Sequence, residues 1–124
     1  MAKILLIDDD EALCRMYQKE LTAKGYEVFT AFDGRSGLTL VHNHKPDLIL
    51  LDIMLPGEMN GFDVLEQLKK NVETKDIPVL ILTNLDSEEK VAKEIGVAGY
   101  LVKANTRPQG IFEVVSKLLA SPGK

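Results

Sequence analysis

The sequence predicts an α/β protein, a parallel sheet sandwiched between helices. Three observations carry this. Five short apolar runs recur along the chain, and segments of helical periodicity separate them. Two of the runs, Leu48-Ile49-Leu50-Leu51 and Val79-Leu80-Ile81-Leu82, are apolar on both faces, as central strands covered on both sides must be. The length, 124 residues, suits one domain with a sizeable core and leaves no room for a second.

Taken in order, the first run is Lys3–Ile7. The helix predicted after it places Leu13, Met16, Tyr17, Glu20 and Leu21 at helical spacing, with only Glu20 polar and Cys14 on the flank. The second run is Tyr26–Ala31, closed by the turn residues Phe32-Asp33-Gly34. A second helix is expected to end near His42 and His44, before Lys45-Pro46. The third run, Asp47–Leu51, precedes a helix over Gly61–Lys70; the fourth, Pro78–Leu82, precedes a short helix over Asp86–Ile95, with Gly96 at its end. After the fifth run, Ala98–Val102, Thr106 and Pro108 mark the start of the last helix, because a hydroxyl can cap and proline suits the first turn. That helix carries one apolar stripe of Ile111, Val114, Val115, Leu118 and Leu119. Crossovers between parallel strands are expected to be right-handed.

Composition excludes several classes. Apolar residues at 45% and charged residues at 27% argue against disorder. No apolar run approaches the roughly 20 residues of a membrane span, and the start of the chain lacks a secretory signal. A single cysteine excludes a disulfide framework and a multi-cysteine zinc site, and Cys14 reads as a small buried hydrophobe. A net charge of −4 argues against direct binding of nucleic acid. His42 and His44 are too few for a metal site and are favoured where they are by the helix C-terminus. The expectation is a cytoplasmic domain with no membrane insertion.

Function should lie where the strands end, since open parallel sheets bind ligands beyond the carboxyl ends of their strands. The first run ends in Asp8-Asp9-Asp10, the third in Asp52, the fourth in Thr83 and the fifth in Lys103. Carboxylates gathered at one edge repel, and a divalent cation relieves this. Magnesium suits a few carboxylates together with waters and phosphate oxygens. An aspartate can also attack phosphorus to form an aspartyl phosphate, with a lysine offsetting the charge of the transferring group.

These residues resemble the receiver domain of two-component response regulators, of the chemotaxis-regulator type. The likeness runs through Ile4-Leu5-Leu6-Ile7-Asp8-Asp9-Asp10, Pro46-Asp47-Leu48-Ile49-Leu50-Leu51-Asp52-Ile53-Met54-Leu55-Pro56-Gly57 and Asn60-Gly61-Phe62. It continues in Pro78-Val79-Leu80-Ile81-Leu82-Thr83 and Gly99-Tyr100-Leu101-Val102-Lys103, so it spans essentially the whole chain. The resemblance implies a flavodoxin-like (βα)5 sandwich of strand order 2-1-3-4-5, with residues 1–120 as the receiver domain and 121–124 as a short tail or linker remnant. It implies that Asp52 is the phosphoacceptor and that Asp8, Asp9, Asp52 and the backbone carbonyl of Met54 hold Mg2+. Asp10 then starts the first helix. Thr83 and Tyr100 match the switch pair, and Lys103 the lysine that contacts the phosphoryl group. The implied donor is a sensor histidine kinase or a histidine phosphotransfer protein. The domain would catalyse only its own phosphorylation and dephosphorylation, with Thr83 moving to the phosphate and Tyr100 following inward.

Three departures from the family pattern bear on the site. The loop Pro56-Gly57-Glu58-Met59-Asn60-Gly61 is one residue longer than the commonest form and adds Glu58 near the mouth. The stretch from Thr83 to Lys103 is about two residues short, which should trim the fourth helix. Ala104 stands where most members have proline after the lysine. A cis bond there costs about 2.5–4 kcal/mol, against roughly 0.5–1 before proline, so a trans bond is expected. Rival functions fit less well. A phosphatase with an aspartate nucleophile needs a second acid where Met54 stands. A nucleotide-binding protein needs a glycine-rich loop after the first strand. A docking module with weak or no phosphorylation is the main alternative.

Overall fold

The structure, a computed structural model, describes residues 1–120. The expected tail at 121–124 lies outside the described residues. Strands β1 (Lys3–Ile7), β2 (Glu27–Ala31), β3 (Leu48–Leu51), β4 (Val79–Thr83) and β5 (Gly99–Val102) alternate with helices α1 (Glu11–Ala23), α2 (Gly34–His44), α3 (Gly61–Lys70), α4 (Glu89–Ile95) and α5 (Pro108–Ala120). The sheet is wholly parallel, in the order β2-β1-β3-β4-β5.

Alternation along the strands sorts the core onto two faces. Leu5, Ile7, Ile49, Leu51 and Ile81 pack on one side with Val41 of α2, Val64, Leu65 and Leu68 of α3, and Ala92 of α4. Ile4, Leu6, Leu48, Leu50 and Leu80 pack on the other with Cys14, Tyr17 and Leu21 of α1 and Ile111, Phe112 and Val115 of α5. Both faces being covered is why β3 and β4 had to be continuously apolar. Helix α2 lies so close to β1 that a Cβ on Gly37 would stand 2.5 Å from Ile7 Cδ1.

Register sets the site. Ile7 pairs with Ala31 on one side and Leu51 on the other. The ladder runs one residue further, with Asp8 N–H donating to the Ala31 carbonyl and Asp52 N–H to that of Ile7. Asp8 and Asp52 therefore leave the sheet side by side.

Three local expectations are corrected. The buried stripe of α1 is Cys14, Tyr17 and Leu21; Met16 is 44% exposed, because the true face follows the i, i+3, i+7 rows through Cys14 rather than beside it. Helix α5 begins at Pro108, and the Ile111 N–H bonds to the Arg107 carbonyl, so Arg107 rather than Thr106 stands at the cap; Thr106 closes a short 3-10 turn over Lys103–Asn105. Helix α4 begins at Glu89, three residues later than expected, because Asp86 and Ser87 remain in the preceding loop. The Lys103–Ala104 bond is trans, as expected, since the structure contains no cis peptide among the described residues. No helix is long and apolar enough to cross a membrane among the described residues.

Candidate functional site

The carboxyl edge of the sheet gathers Asp8, Asp9 and Asp52, each offering a carboxylate oxygen within 4.8 Å of the others. Their environments differ because strand direction carries through the run. Asp8 continues β1 inward and is 1% exposed, whereas Asp9 turns out to solvent. Asp10 leaves the cluster and caps α1, accepting from the Leu13 N–H at 3.1 Å.

Asp52 is nearly buried, and both of its oxygens are held. The Met54 N–H donates to Oδ1 at 3.1 Å, and the Lys103 ammonium donates to Oδ2 at 3.1 Å. The same ammonium lies 2.6 Å from Asp8 Oδ2, while the Asp10 N–H donates to Asp8 Oδ1 at 3.0 Å. Burial raises the Asp8 carboxyl above its ordinary value, against the opposing hydrogen bonds from Lys103 and the Asp10 backbone. Burial alone would lower Lys103, but its hydrogen bond to Asp8 and the charges of Asp52 and Asp8 outweigh that and raise it, so the ammonium stays charged. Lys103 reaches both carboxylates from the first residue of its 3-10 turn without a cis bond.

The loop after β3 is shaped by Gly61. Its N–H donates to the Ile53 carbonyl at 2.8 Å, and a Cβ there would stand 2.3 Å from the Asp52 carbonyl oxygen. Asn60 and Asp63 form a reciprocal capping box at the start of α3, a signal visible in the sequence as Asn-x-x-Asp. Reading the strand ends alone singles out neither Gly61 nor this box, nor the contact of Cys14, whose thiol donates to the Asp8 carbonyl at 3.3 Å. Burial, then the charges of Asp8 and Asp10, pushes that thiol up to about 12, so it is an inert donor. Glu58 sits apart from the acidic group and lies 3.9 Å from Arg35, both largely exposed.

Thr83 is fully buried at the end of β4, and its hydroxyl accepts from the Leu85 N–H at 3.4 Å. Tyr100, 9% exposed, already packs inward, with its hydroxyl donating to the Leu85 carbonyl. The Tyr100 ring is therefore on the core side of β5 in this structure. Desolvation, more than the nearby acids, raises the Tyr100 phenol. His42 and His44 belong to no metal-competent group among the described residues, and His44 stacks on Phe29 at 4.0 Å.

The donor set is all oxygen, hard and anionic, and suits a small divalent cation held partly by water. A held carboxylate beside a permanent ammonium is also suited to accept a phosphoryl group.

Comparison with known proteins agrees with this geometry. The sequence model of the response regulator receiver domain matches residues 4–115. The response regulator PleD of Caulobacter vibrioides is 43% identical over 104 residues, which are 82% of this chain and 23% of PleD. The transcriptional regulatory protein AfsQ1 of Streptomyces coelicolor is 40% identical over 105 residues, covering 83% of this chain and 45% of AfsQ1. The chain therefore spans less than half the length of these relatives. The non-phosphorylated HemR receiver domain of Leptospira biflexa superposes with a TM-score of 0.88 at 28% identity, covering 100% of this chain and 98% of the HemR domain.

Proposed function

The chain belongs to the response regulator receiver domain family, and from that premise we propose that it is a phosphorylation-controlled switch charged on Asp52. The phosphoryl group comes from the phosphohistidine of a sensor histidine kinase or a histidine phosphotransfer protein, in the cytoplasm. The observation that carries the reading is the grip on Asp52: Oδ1 held by the Met54 N–H, Oδ2 by Lys103, with Asp8 and Asp9 alongside.

An Asp52 oxygen attacks phosphorus, a new O–P bond forms, and the P–N bond to the donor imidazole breaks. Lys103, held charged, offsets the negative charge carried by the transferring oxygens. Mg2+, when bound, would add to that neutralisation; Asp8, Asp9, Asp52 and the Met54 carbonyl would hold it. Thr83 Oγ1 accepts from Leu85 in this structure, which leaves its proton free to donate to a phosphoryl oxygen. The phosphate adds roughly −1.5 to −2 charge at a buried edge, and the loop from Thr83 into α4 is the element that responds. Water later hydrolyses the acyl phosphate, so no external metabolite is turned over.

Incubation with a small phosphodonor and Mg2+, followed by intact-mass measurement, tests this. Wild type gains one phosphoryl group, Asp52→Asn gains none, and excess chelator suppresses the gain. Equal labelling of Asp52→Asn, or none of wild type, overturns the proposal.

A further inference from the structure

Phosphorylation chemistry leaves the opposite end of the sheet unused, and that end carries a surface with both a knob and its own grooves. The knob is Val72, 76% exposed in the turn between α3 and β4. The turn itself is rigidly bonded. The Asn71 side chain accepts from the Glu73 N–H at 2.9 Å, and the Asn71 carbonyl accepts from the Thr74 and Lys75 N–H groups at 3.0 and 2.9 Å. The buried Thr74 hydroxyl donates to the Leu68 carbonyl at 2.7 Å. An apolar side chain presented by a fixed turn loses little freedom on binding.

Val72 stands between two concavities. One, of about 590 Å³, is apolar at its floor through Ile77, Leu118 and Leu119 and acidic at its rim through Asp47 and Asp76. The other, of about 450 Å³, lies between α2 and α3 and carries Lys70. Glu73, also on the first rim, is already paired with Lys45 at 3.1 Å. Asp47 Oδ2 accepts the Lys3 backbone N–H at 2.7 Å, whereas Asp76 and Lys70 have no oppositely charged side-chain partner among the described residues.

We infer that this face binds a second copy of the same chain. The argument is self-complementarity. A two-fold axis lying in the interface beside Val72 sets the acidic groove of one copy against the Lys70 groove of the other and brings the two Val72 side chains together. Each pairing then occurs twice, and Asp76 of one copy meets Lys70 of the other. A partner of a single charge sign would complement only one of the two grooves. Because this face adjoins the starts of β3 and β4, the Asp52 edge stays open to a phosphodonor in the dimer.

Sedimentation velocity of the full chain over roughly a hundredfold concentration range tests this by mass action. Wild type should associate reversibly to a dimer, and Asp52→Asn should do the same, which separates this inference from the phosphoacceptor reading. Val72→Glu should weaken association by about tenfold or more, since it buries two charges at the axis. Lys70→Glu and Asp76→Lys should each weaken it, and the double variant should recover most of the loss. Val91→Glu, on the exposed face of α4, should leave the dimer intact. Wild type that stays monomeric throughout overturns the inference, as does association that Val91→Glu abolishes and Val72→Glu spares. A double variant weaker than either single one overturns the pairing of the two grooves.

Discussion

Helices α3 and α4 each follow a strand that delivers a site residue, yet they are anchored very differently. Helix α3 has a reciprocal capping box, four buried residues and a first residue bonded to Ile53 beside Asp52. Helix α4 has seven residues, no side-chain cap and one buried residue, Ala92. The difference divides the site into two halves. Asp52 is set on a fixed frame, so its carboxylate is held in one orientation. Thr83 leads into a segment with little burial to lose, so a new hydrogen bond there can move it.

Several changes can break or sharpen this contrast. The largest effect should come from Gly61→Ala, whose new methyl would meet the Asp52 backbone itself. We expect a loss of about 3 kcal/mol in urea denaturation, with slower phosphoryl labelling. The matched change in the other loop, Ser87→Ala at an exposed position, should stay within about 0.5 kcal/mol. Equal costs would remove the distinction between the two loops.

Lys103→Ala comes next, at about 2 kcal/mol in chelator at neutral pH, because it strands the carboxylates of Asp8 and Asp52. The sign with pH follows from the raised values. Lys103 contributes its full stability below the ordinary lysine value and loses it only as pH rises through its raised one. Asp8, raised by burial, favours the folded state when protonated and loses that advantage as pH rises through its folded value. The variant's deficit should therefore shrink as the pH falls into the carboxylate range. A deficit that grows on acidification would show that Lys103 does not act by neutralising these acids.

Thr83→Ala should still take up phosphate but lose the conformational response. A hydrogen bond to a charged acceptor is worth ~1.5–3 kcal/mol, enough to cut a two-state ratio roughly tenfold. Amide shifts across residues 84–102, with and without a phosphoryl mimic, should show it. Since Tyr100 is already inward here, the shift should be larger in α4 than at Tyr100. A full wild-type response in Thr83→Ala would dissociate the hydroxyl from the switch.

The smallest effects concern the caps. Asn60→Ala should cost about 1 kcal/mol by removing the α3 cap. Glu88→Ser, which offers α4 the cap it lacks, should gain about 0.5 kcal/mol and slow amide exchange over Glu89–Ile95 without altering labelling at Asp52. Uniform exchange rates across α3 and α4 in the wild type would argue that the two helices are equally held.

The acids, the hydroxyl and the lysine were readable because each ends an apolar run, and in a parallel sheet every run ends at the same edge. Gly61 was legible only as part of a familiar motif, since its reason is a 2.3 Å approach to the Asp52 carbonyl that no local pattern reports. Periodicity alone puts Cys14 on the flank of α1, because Met16 completes an equally good apolar count. Only the contact with β1 and the Asp8 carbonyl chooses between the two faces.

By itself the sequence determined the alternation of strands and helices, the double-sided burial of β3 and β4, and which residues stand at the strand ends. These follow from local periodicity and the need to bury apolar side chains. Tertiary structure decided the rest. It made Asp8 buried and Asp9 exposed, gave one lysine to two carboxylates, and turned Tyr100 inward onto Leu85. Those outcomes depend on register and on the order of strands across the sheet. Both are set by pairings between strands distant in the sequence, as between Ile4 and Leu48, and the Lys103–Asp52 contact follows from them.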